Sequence, residues 1–280
     1  MIASRFARRP FLALCLSLLA SGVLAQAQPA RQEYVPEVGQ EGKDVVWVPT
    51  PDALVGKMLD LAKVTSKDYV IDLGSGDGRT VIAAAKRGAR ALGIEYNPEM
   101  VELSKRNAAK EGVAERTQFV KADLFATDFS QATVVTMFLL PEINLKLRPR
   151  ILDMKPGTRI VSNSFTMGEW RHDRSVQATE KEGCQSYCTA YLWIVPAKVQ
   201  GRWTLPQGEL ALKQEFQMIS GTLDSGGVSA QIIKGRMRGD QISFTAGGAD
   251  YTGRVSGNAI EGTVKAGGTT SAWKATRRPS

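Results

Sequence analysis

Val70-Ile71-Asp72-Leu73-Gly74-Ser75-Gly76-Asp77-Gly78-Arg79-Thr80 is a short apolar, β-branched run that breaks at a glycine cluster and resumes as an alanine-rich helical pattern through Arg87. The pattern predicts a strand, a tight turn and a helix start. Gly74, Gly76 and Gly78 let the backbone turn sharply and let a ligand approach main-chain N–H groups beside the positive end of the following helix. A dinucleotide site requires Gly-x-Gly-x-x-Gly, so that a pyrophosphate can rest on the helix N-terminus. Here the third glycine comes one residue early and an acid, Asp72, stands before the first. A carboxylate there repels phosphate and suits a ligand with positive charge.

Asp72-Leu73-Gly74-Ser75-Gly76-Asp77-Gly78 resembles motif I of the class I, seven-strand S-adenosylmethionine-dependent methyltransferases, whose ligand carries an ammonium and a sulfonium and no phosphate. The resemblance implies a Rossmann-like α/β fold, with a seven-stranded, mostly parallel sheet and helices on both faces. It implies S-adenosylmethionine as cofactor, held at Asp72, Gly74, Ser75, Gly76 and Gly78. With Pro49-Thr50-Pro51 upstream, the motif is most similar to lysine methyltransferases of the mitochondrial and bacterial kind, and the likeness covers roughly Val48 to Pro196.

Outward from the motif, Thr50 is the expected N-cap of a helix that begins with Pro51 and carries Leu54, Met58 and Leu61 on one face. Ala89 to Ile94 reads as the second strand, ending in Glu95, roughly 20 residues after Asp72, the interval at which an acid meets ribose hydroxyls in nucleotide folds. Asn97 caps the next helix, with Pro98 at its first position. Thr117 to Ala122 reads as the third strand. By resemblance, Asp123 accepts from the adenine amino group and Leu124 flanks the ring. Thr133 to Leu140 reads as a strand buried on both faces, followed by a helix that Pro149 interrupts. The loop Phe138-Leu139-Leu140-Pro141 falls where the family faces the methyl group, which makes Phe138 and Pro141 the candidate catalytic positions. It lacks the Asn-Pro-Pro-Tyr pattern of many N-methylating members, which argues against amide or base N-methylation. Trp47, Tyr96, Phe125 and Phe138 are candidate channel walls, Tyr96 also a cofactor contact, and the single histidine, His172, a candidate base.

The chain has 280 residues, 43% hydrophobic, and a formal charge of +8. Three of its cations, Arg5, Arg8 and Arg9, precede an apolar run from Phe11 to Leu19 and small residues at Ala25, the pattern of an export signal too short to remain as a membrane anchor. Arg8-Arg9 is similar to a twin-arginine signal, which exports folded proteins. The expected location is periplasmic, with residues 1–25 as leader, 26–44 as a flexible tail, 45–197 as the cofactor-binding domain and 198–280 as a separate β domain. The remaining basic excess is mild, and no Lys/Arg run with interleaved aromatics points to nucleic acid. Cys184 and Cys188, at the turn of an expected hairpin (Ser175–Glu180, Tyr187–Val195), have the spacing of a small disulfide. No set of residues suggests a metal site.

From Lys198 onward, short alternating runs (Gln241–Thr245, Ala259–Val264, Ser271–Thr276) recur between glycine turns, an antiparallel meander able to close as a small barrel or sandwich. The acceptors that fit are a protein lysine first, then a small molecule or a lipid head group. The competing reading is a catalytically silent methyltransferase fold serving as a binding scaffold.

Overall fold

The structure, a computed structural model, describes residues 1–3, 34–206 and 208–279. All but the first three residues of the expected leader, and the start of the expected tail, lie outside the described residues.

The first sheet holds β1 (Tyr69–Leu73), β2 (Arg90–Glu95), β3 (Thr117–Lys121), β4 (Val134–Met137), β5 (Arg159–Asn163), β6 (Arg174–Gln177) and β7 (Thr189–Ile194), with helices α1 (Asp52–Leu61), α2 (Arg79–Lys86), α3 (Pro98–Lys110) and α4 (Pro141–Leu152). Strand order is β3-β2-β1-β4-β5-β7-β6. The pairings are parallel except those of β7, which runs antiparallel to β5 and β6. The order reverses between β1 and β4, and ligands of such sheets bind in the crevice outside the strand ends at that reversal. All four residues of β4 are buried. Val70 packs with Leu54 and Val81 in one apolar cluster, while Ile71 and Leu73 pack with Leu147 and Ile151 in another, so both sheet faces are covered.

Three local expectations are corrected. Pro51, not Thr50, is the N-cap of α1, without a side-chain cap bond; Thr50 Oγ1 instead accepts from Asn163 Nδ2 at 3.3 Å, and its carbonyl accepts from Arg79 Nη1 at 3.0 Å. β4 stops at Met137 because Leu140 caps α4 and Pro141 occupies its first turn. Pro149 lies inside α4 without ending it; the carbonyl it leaves without an intrahelical partner belongs to Leu145, an exposed residue. The hairpin of β6 and β7 forms, shorter than expected.

The second sheet contains β8 (Gly201–Leu205), β9 (Gly208–Glu215), β10 (Met218–Ser225), β11 (Val228–Gln231), β12 (Ile233–Arg238), β13 (Gln241–Ala246), β14 (Ala249–Ser256), β15 (Ala259–Ala266) and β16 (Thr269–Arg277). All pairings are antiparallel; β12 pairs with β10 rather than β11, β16 returns to β8, and β9 pairs with β10, which closes the meander into a barrel with β11 as a spur on β10. Closure removes the exposed edges of a meander. Its interior is filled by Trp203, Leu210, Phe244, Ile260 and Trp273. The barrel is packed on the α/β sheet rather than tethered to it: Phe216 stacks on Trp170 with centroids 6.0 Å apart, Gln217 Nε2 donates to the Arg171 carbonyl at 2.7 Å, and Arg236 pairs with Asp173 at 2.6 Å.

Candidate active site

The turn after β1 is built by its glycines and held from behind. Gly74, Gly76 and Gly78 have φ of +76, +53 and +83, a region that L side chains avoid. The amides of Gly74 and Ser75 donate to the Ile94 carbonyl at 2.9 and 3.1 Å, which fastens the turn to β2. On the far side, Ser104 Oγ donates to the Gly76 carbonyl at 2.8 Å and Asn107 Nδ2 to the Asp77 carbonyl at 3.0 Å. Both come from α3, so the turn's carbonyls are occupied by a packed helix.

Glu95 ends β2 and closes the arrangement. Its Oε2 accepts the Gly76 amide at 2.9 Å and its Oε1 the Asn97 amide at 2.9 Å. Asp72 lies beneath, 6% exposed, accepting from Thr136 Oγ1 at 2.6 Å. Burial pushes its carboxyl up to about 7; the charges of Glu95 and Asp77 add to this, and the Thr136 bond opposes it. The charged groups that act on Asp72 are the acids Glu95 and Asp77, with no cation beside them. Asp123, after β3, accepts the Phe125 amide at 2.8 Å and pairs with Lys43, which holds its carboxyl below the usual range. The Lys43 ammonium lies 4.9 Å from the Tyr96 ring centre.

One cleft is lined by Asp72, Gly74, Ser75, Gly76, Glu95, Tyr96, Asp123, Leu124 and Phe138, so nine of the residues singled out in the sequence converge. Gly78 and Pro141 are not among its lining residues. Gly78 caps α2, where a Cβ would stand 2.8 Å from Phe119 Cε1, and Pro141 is an exposed residue opening α4. Phe125 also stays out of the lining, and its ring lies under Lys146. His172 lies against Tyr191, with ring centres 4.8 Å apart and planes tilted by 43°, and is not among the residues lining the cleft. Trp47 does line it, with its indole Nε1 where a Cβ on Gly76 would come within 2.5 Å.

Sequence reasoning missed two contributors. Gln40 to Val46, placed largely in the tail, line the cleft; the segment carries no periodicity to mark it. Phe165 and Tyr187 line the other end with Phe138. A signal for Phe165 exists: it follows β5 much as Phe138 follows β4. Cys184 and Cys188 form a disulfide, with Cα atoms 5.8 Å apart, in the loop that carries Tyr187.

The cleft fits the expected cofactor. Among the described residues, Asp72 is a buried carboxylate without a cation, and Ser75 Oγ is buried in the same wall with no hydrogen-bond partner. A ligand bearing an ammonium supplies the cation that Asp72 lacks.

A family profile described as the ANTKMT methyltransferase domain matches residues 72–174. The protein-lysine N-methyltransferase of Saccharolobus islandicus (strain REY15A) is 41% identical over 165 residues, 58% of this chain and 96% of that protein. The adenine nucleotide translocase lysine N-methyltransferase of Mus musculus is 34% identical over 104 residues, 36% of this chain and 45% of its own length. Among solved structures, the RNA methyltransferase from Salinibacter ruber in complex with S-adenosyl-L-homocysteine is 46% identical, with a TM-score of 0.50, covering 54% of this chain and 96% of that one.

Proposed function

The chain belongs to the S-adenosylmethionine-dependent methyltransferases, and from that premise we propose that its acceptor is the ε-amine of a protein lysine. The observation that carries the reading is the likeness to the Saccharolobus islandicus protein-lysine N-methyltransferase across 96% of that protein's length.

The division of the cleft supports it. Asp72, Glu95 and Asp123 stand at the ends of β1, β2 and β3, while Phe138, Leu139, Phe165 and Tyr187 belong to the loops beyond β4, β5 and before β7. The acidic half holds the cofactor: Asp72 faces its positive charge, Glu95 receives the ribose hydroxyls, and Asp123 and Leu124 receive the adenine. When bound, S-adenosylmethionine supplies a methyl group already activated by its sulfonium. The task left to the protein is alignment, which can supply about 7–11 kcal/mol of the barrier. An apolar, aromatic wall favours the uncharged amine, the form that has a lone pair to offer.

The disulfide and the basic-then-apolar N-terminus support an exported enzyme acting in an oxidising compartment. Replacing Arg8 and Arg9 by Lys is expected to stop export, and unchanged export refutes the twin-arginine route.

The test is transfer of labelled methyl from S-adenosylmethionine to an extract of the native compartment, followed by protease or ribonuclease treatment and amino-acid analysis. Methylated lysine in the protease-sensitive fraction is the expected result. Ribonuclease-sensitive label instead supports an RNA acceptor, the reading favoured by the Salinibacter ruber likeness. No transfer at all, with cofactor bound, leaves the scaffold reading.

A further inference from the structure

We infer that Tyr187 closes the aromatic end of the cleft, and that the Cys184–Cys188 disulfide latches it there, so that methyl transfer responds to a dithiol through this one side chain. The inference rests on the reading above that this end receives the acceptor, and goes further, to what controls it.

The latched state is a closed one. The rings of Phe138 and Phe165 are stacked at 22°, with centres 6.0 Å apart. Tyr187 lies tilted against both, 5.1 Å from Phe138 and 6.1 Å from Phe165. At these separations the rings pack on one another and make one apolar wall of the cleft. A second hollow is lined by Gln177, Thr179, Glu180 and both cysteines. Among the described residues, Tyr187 alone borders both the cleft and this hollow. Its side chain is the partition between an apolar site and a polar, open one.

Tyr187 is held against the preference of its own backbone. Its φ of +55 lies in a region that a bulky residue takes only where the surroundings enforce it. Both feet of the loop are fixed: the Cys184 amide donates to the Thr179 carbonyl at 3.1 Å, and the Ala178 amide to the Cys188 carbonyl at 2.8 Å. Between them the bridge encloses Gln185, Ser186 and Tyr187, all exposed, Tyr187 by 44%. Ring contacts of a half-exposed tyrosine are comparable in size to the strain at its backbone. With the bridge open, residues 185–187 relax and the ring leaves the wall. The Ser164 amide, which donates to the Thr189 carbonyl at 2.7 Å beside Cys188, ties the Phe165 loop to the same event.

Access favours one sulfur, since Cys184 is 1% exposed and Cys188 is half-buried. A dithiol attacks Cys188 Sγ as thiolate, the S–S bond breaks, and Cys184 leaves as thiolate. The reagent's second thiolate then displaces Cys188 and closes the reagent's own disulfide. Two electrons pass from the dithiol to the bridge, and its two protons end on the cysteines. Once Tyr187 has moved, water from the polar hollow reaches the aromatic end and favours ammonium over the uncharged amine. Transfer falls, while Asp72, Glu95 and Asp123, at the ends of β1, β2 and β3, keep the cofactor.

The test uses the full chain with dithiothreitol as the dithiol, and thiols counted by mass after alkylation. Full reduction is expected to lower kcat/KM for poly-L-lysine about tenfold, with S-adenosyl-L-homocysteine affinity unchanged. Hydrogen exchange of the Ser164 amide should quicken by about tenfold, and reoxidation should restore both. Cys184→Ala with Cys188→Ala reproduces the reduced behaviour and ignores dithiothreitol. Tyr187→Ala lowers transfer to the same degree and also ignores dithiothreitol, whereas Tyr187→Phe, which keeps the ring, restores both the transfer and the response. A bridge that only stabilised the fold would not show that pattern. Unchanged kcat/KM or unchanged Ser164 exchange in fully reduced wild type overturns the inference, as does a response to dithiothreitol that persists in Tyr187→Ala, or a parallel loss of S-adenosyl-L-homocysteine affinity. If poly-L-lysine is methylated in neither state while Ser164 exchange quickens reversibly, the latch stands and the protein-lysine reading falls.

Discussion

Thr136 donates its hydroxyl to Asp72 Oδ1 at 2.6 Å, joining β4 to β1 beneath the glycine turn. One hydrogen bond does not offset the burial, and the carboxyl sits at about 7, above its ordinary 3.8. The free protein therefore holds a proton on Asp72 up to about pH 7, whereas a cationic ligand favours the carboxylate, so binding releases a proton. Affinity for S-adenosylmethionine is expected to rise with pH towards 7, by at most about tenfold per pH unit, and to level off above it. The stability of the ligand-free protein runs the other way: a carboxyl raised on folding loses stabilisation as pH climbs from about 4 to about 7. Calorimetric titrations between about pH 5.5 and 8.5 read the first effect, and thermal unfolding reads the second. Asp72→Asn should flatten both profiles while sharply weakening the cofactor; a flat wild-type affinity profile would falsify the assignment of Asp72 to the cationic end.

Lys43 reaches across the cleft to Asp123, the acid expected at the adenine. The pair is partly exposed on both sides, 34% and 32%, where such bonds contribute little. Yet it takes up Oδ2 of the acid expected to accept from the adenine amino group, so the ammonium and the adenine compete for that carboxylate. Lys43→Ala is expected to tighten S-adenosyl-L-homocysteine binding by roughly two- to fivefold, and more at low salt than at high. A weakened affinity would show instead that Lys43 closes over the bound cofactor.

How far the chain could be read beforehand depended on whether the determining contacts were local. The strand, turn and helix from Val70 to Arg87 were legible because the three glycines state their own backbone requirement. Glu95 followed from the strand-helix-strand interval after Asp72, and Asp123 from the family resemblance. The barrel was legible as alternating runs between glycine turns, though its closure, the pairing of β9 with β10, was not. The aromatic end of the cleft was mostly hidden: Phe138, Phe165 and Tyr187 meet only because β4, β5 and β7 are neighbours. Thr50 has a favoured capping side chain, yet Asn163, 113 residues away, engages it instead.

Gly76 is expected to be intolerant for two separable reasons. Its φ of +53 strains any L residue, at about 1–2 kcal/mol, and a Cβ there would stand 2.5 Å from Trp47 Nε1. Gly76→Ala should weaken the cofactor at least about tenfold, since the amide bound to Glu95 moves with the turn. Adding Trp47→Ala removes the collision and leaves the strain, so part of the affinity should return. Full recovery would assign the whole effect to the indole, and none would assign it to the backbone.

Phe216 marks the mechanical joint between the two sheets. Its ring stacks on Trp170 at 12° and lies under the Arg148 guanidinium at 5.3 Å, while its own backbone sits at φ +53. Trp170 belongs to the apolar cluster of the α/β sheet, and the barrel has a separate core around Trp203 and Phe244. Phe216→Ala therefore removes packing from the joint and leaves both interiors intact. The loss is about 2 kcal/mol for a half-buried aromatic, or about 4–8 °C in the transition that includes the joint. Scanning calorimetry should show the single transition broaden or split, with the barrel's own unfolding little changed. Phe216→Leu, which retains apolar bulk without the stacked ring, should fall between the two. Cofactor affinity should not move, since neither Phe216 nor Trp170 lines the cleft; a parallel loss of cofactor binding would show that the barrel acts on the active site through Trp170 and Trp193, whose indole donates to the Trp170 carbonyl at 2.7 Å.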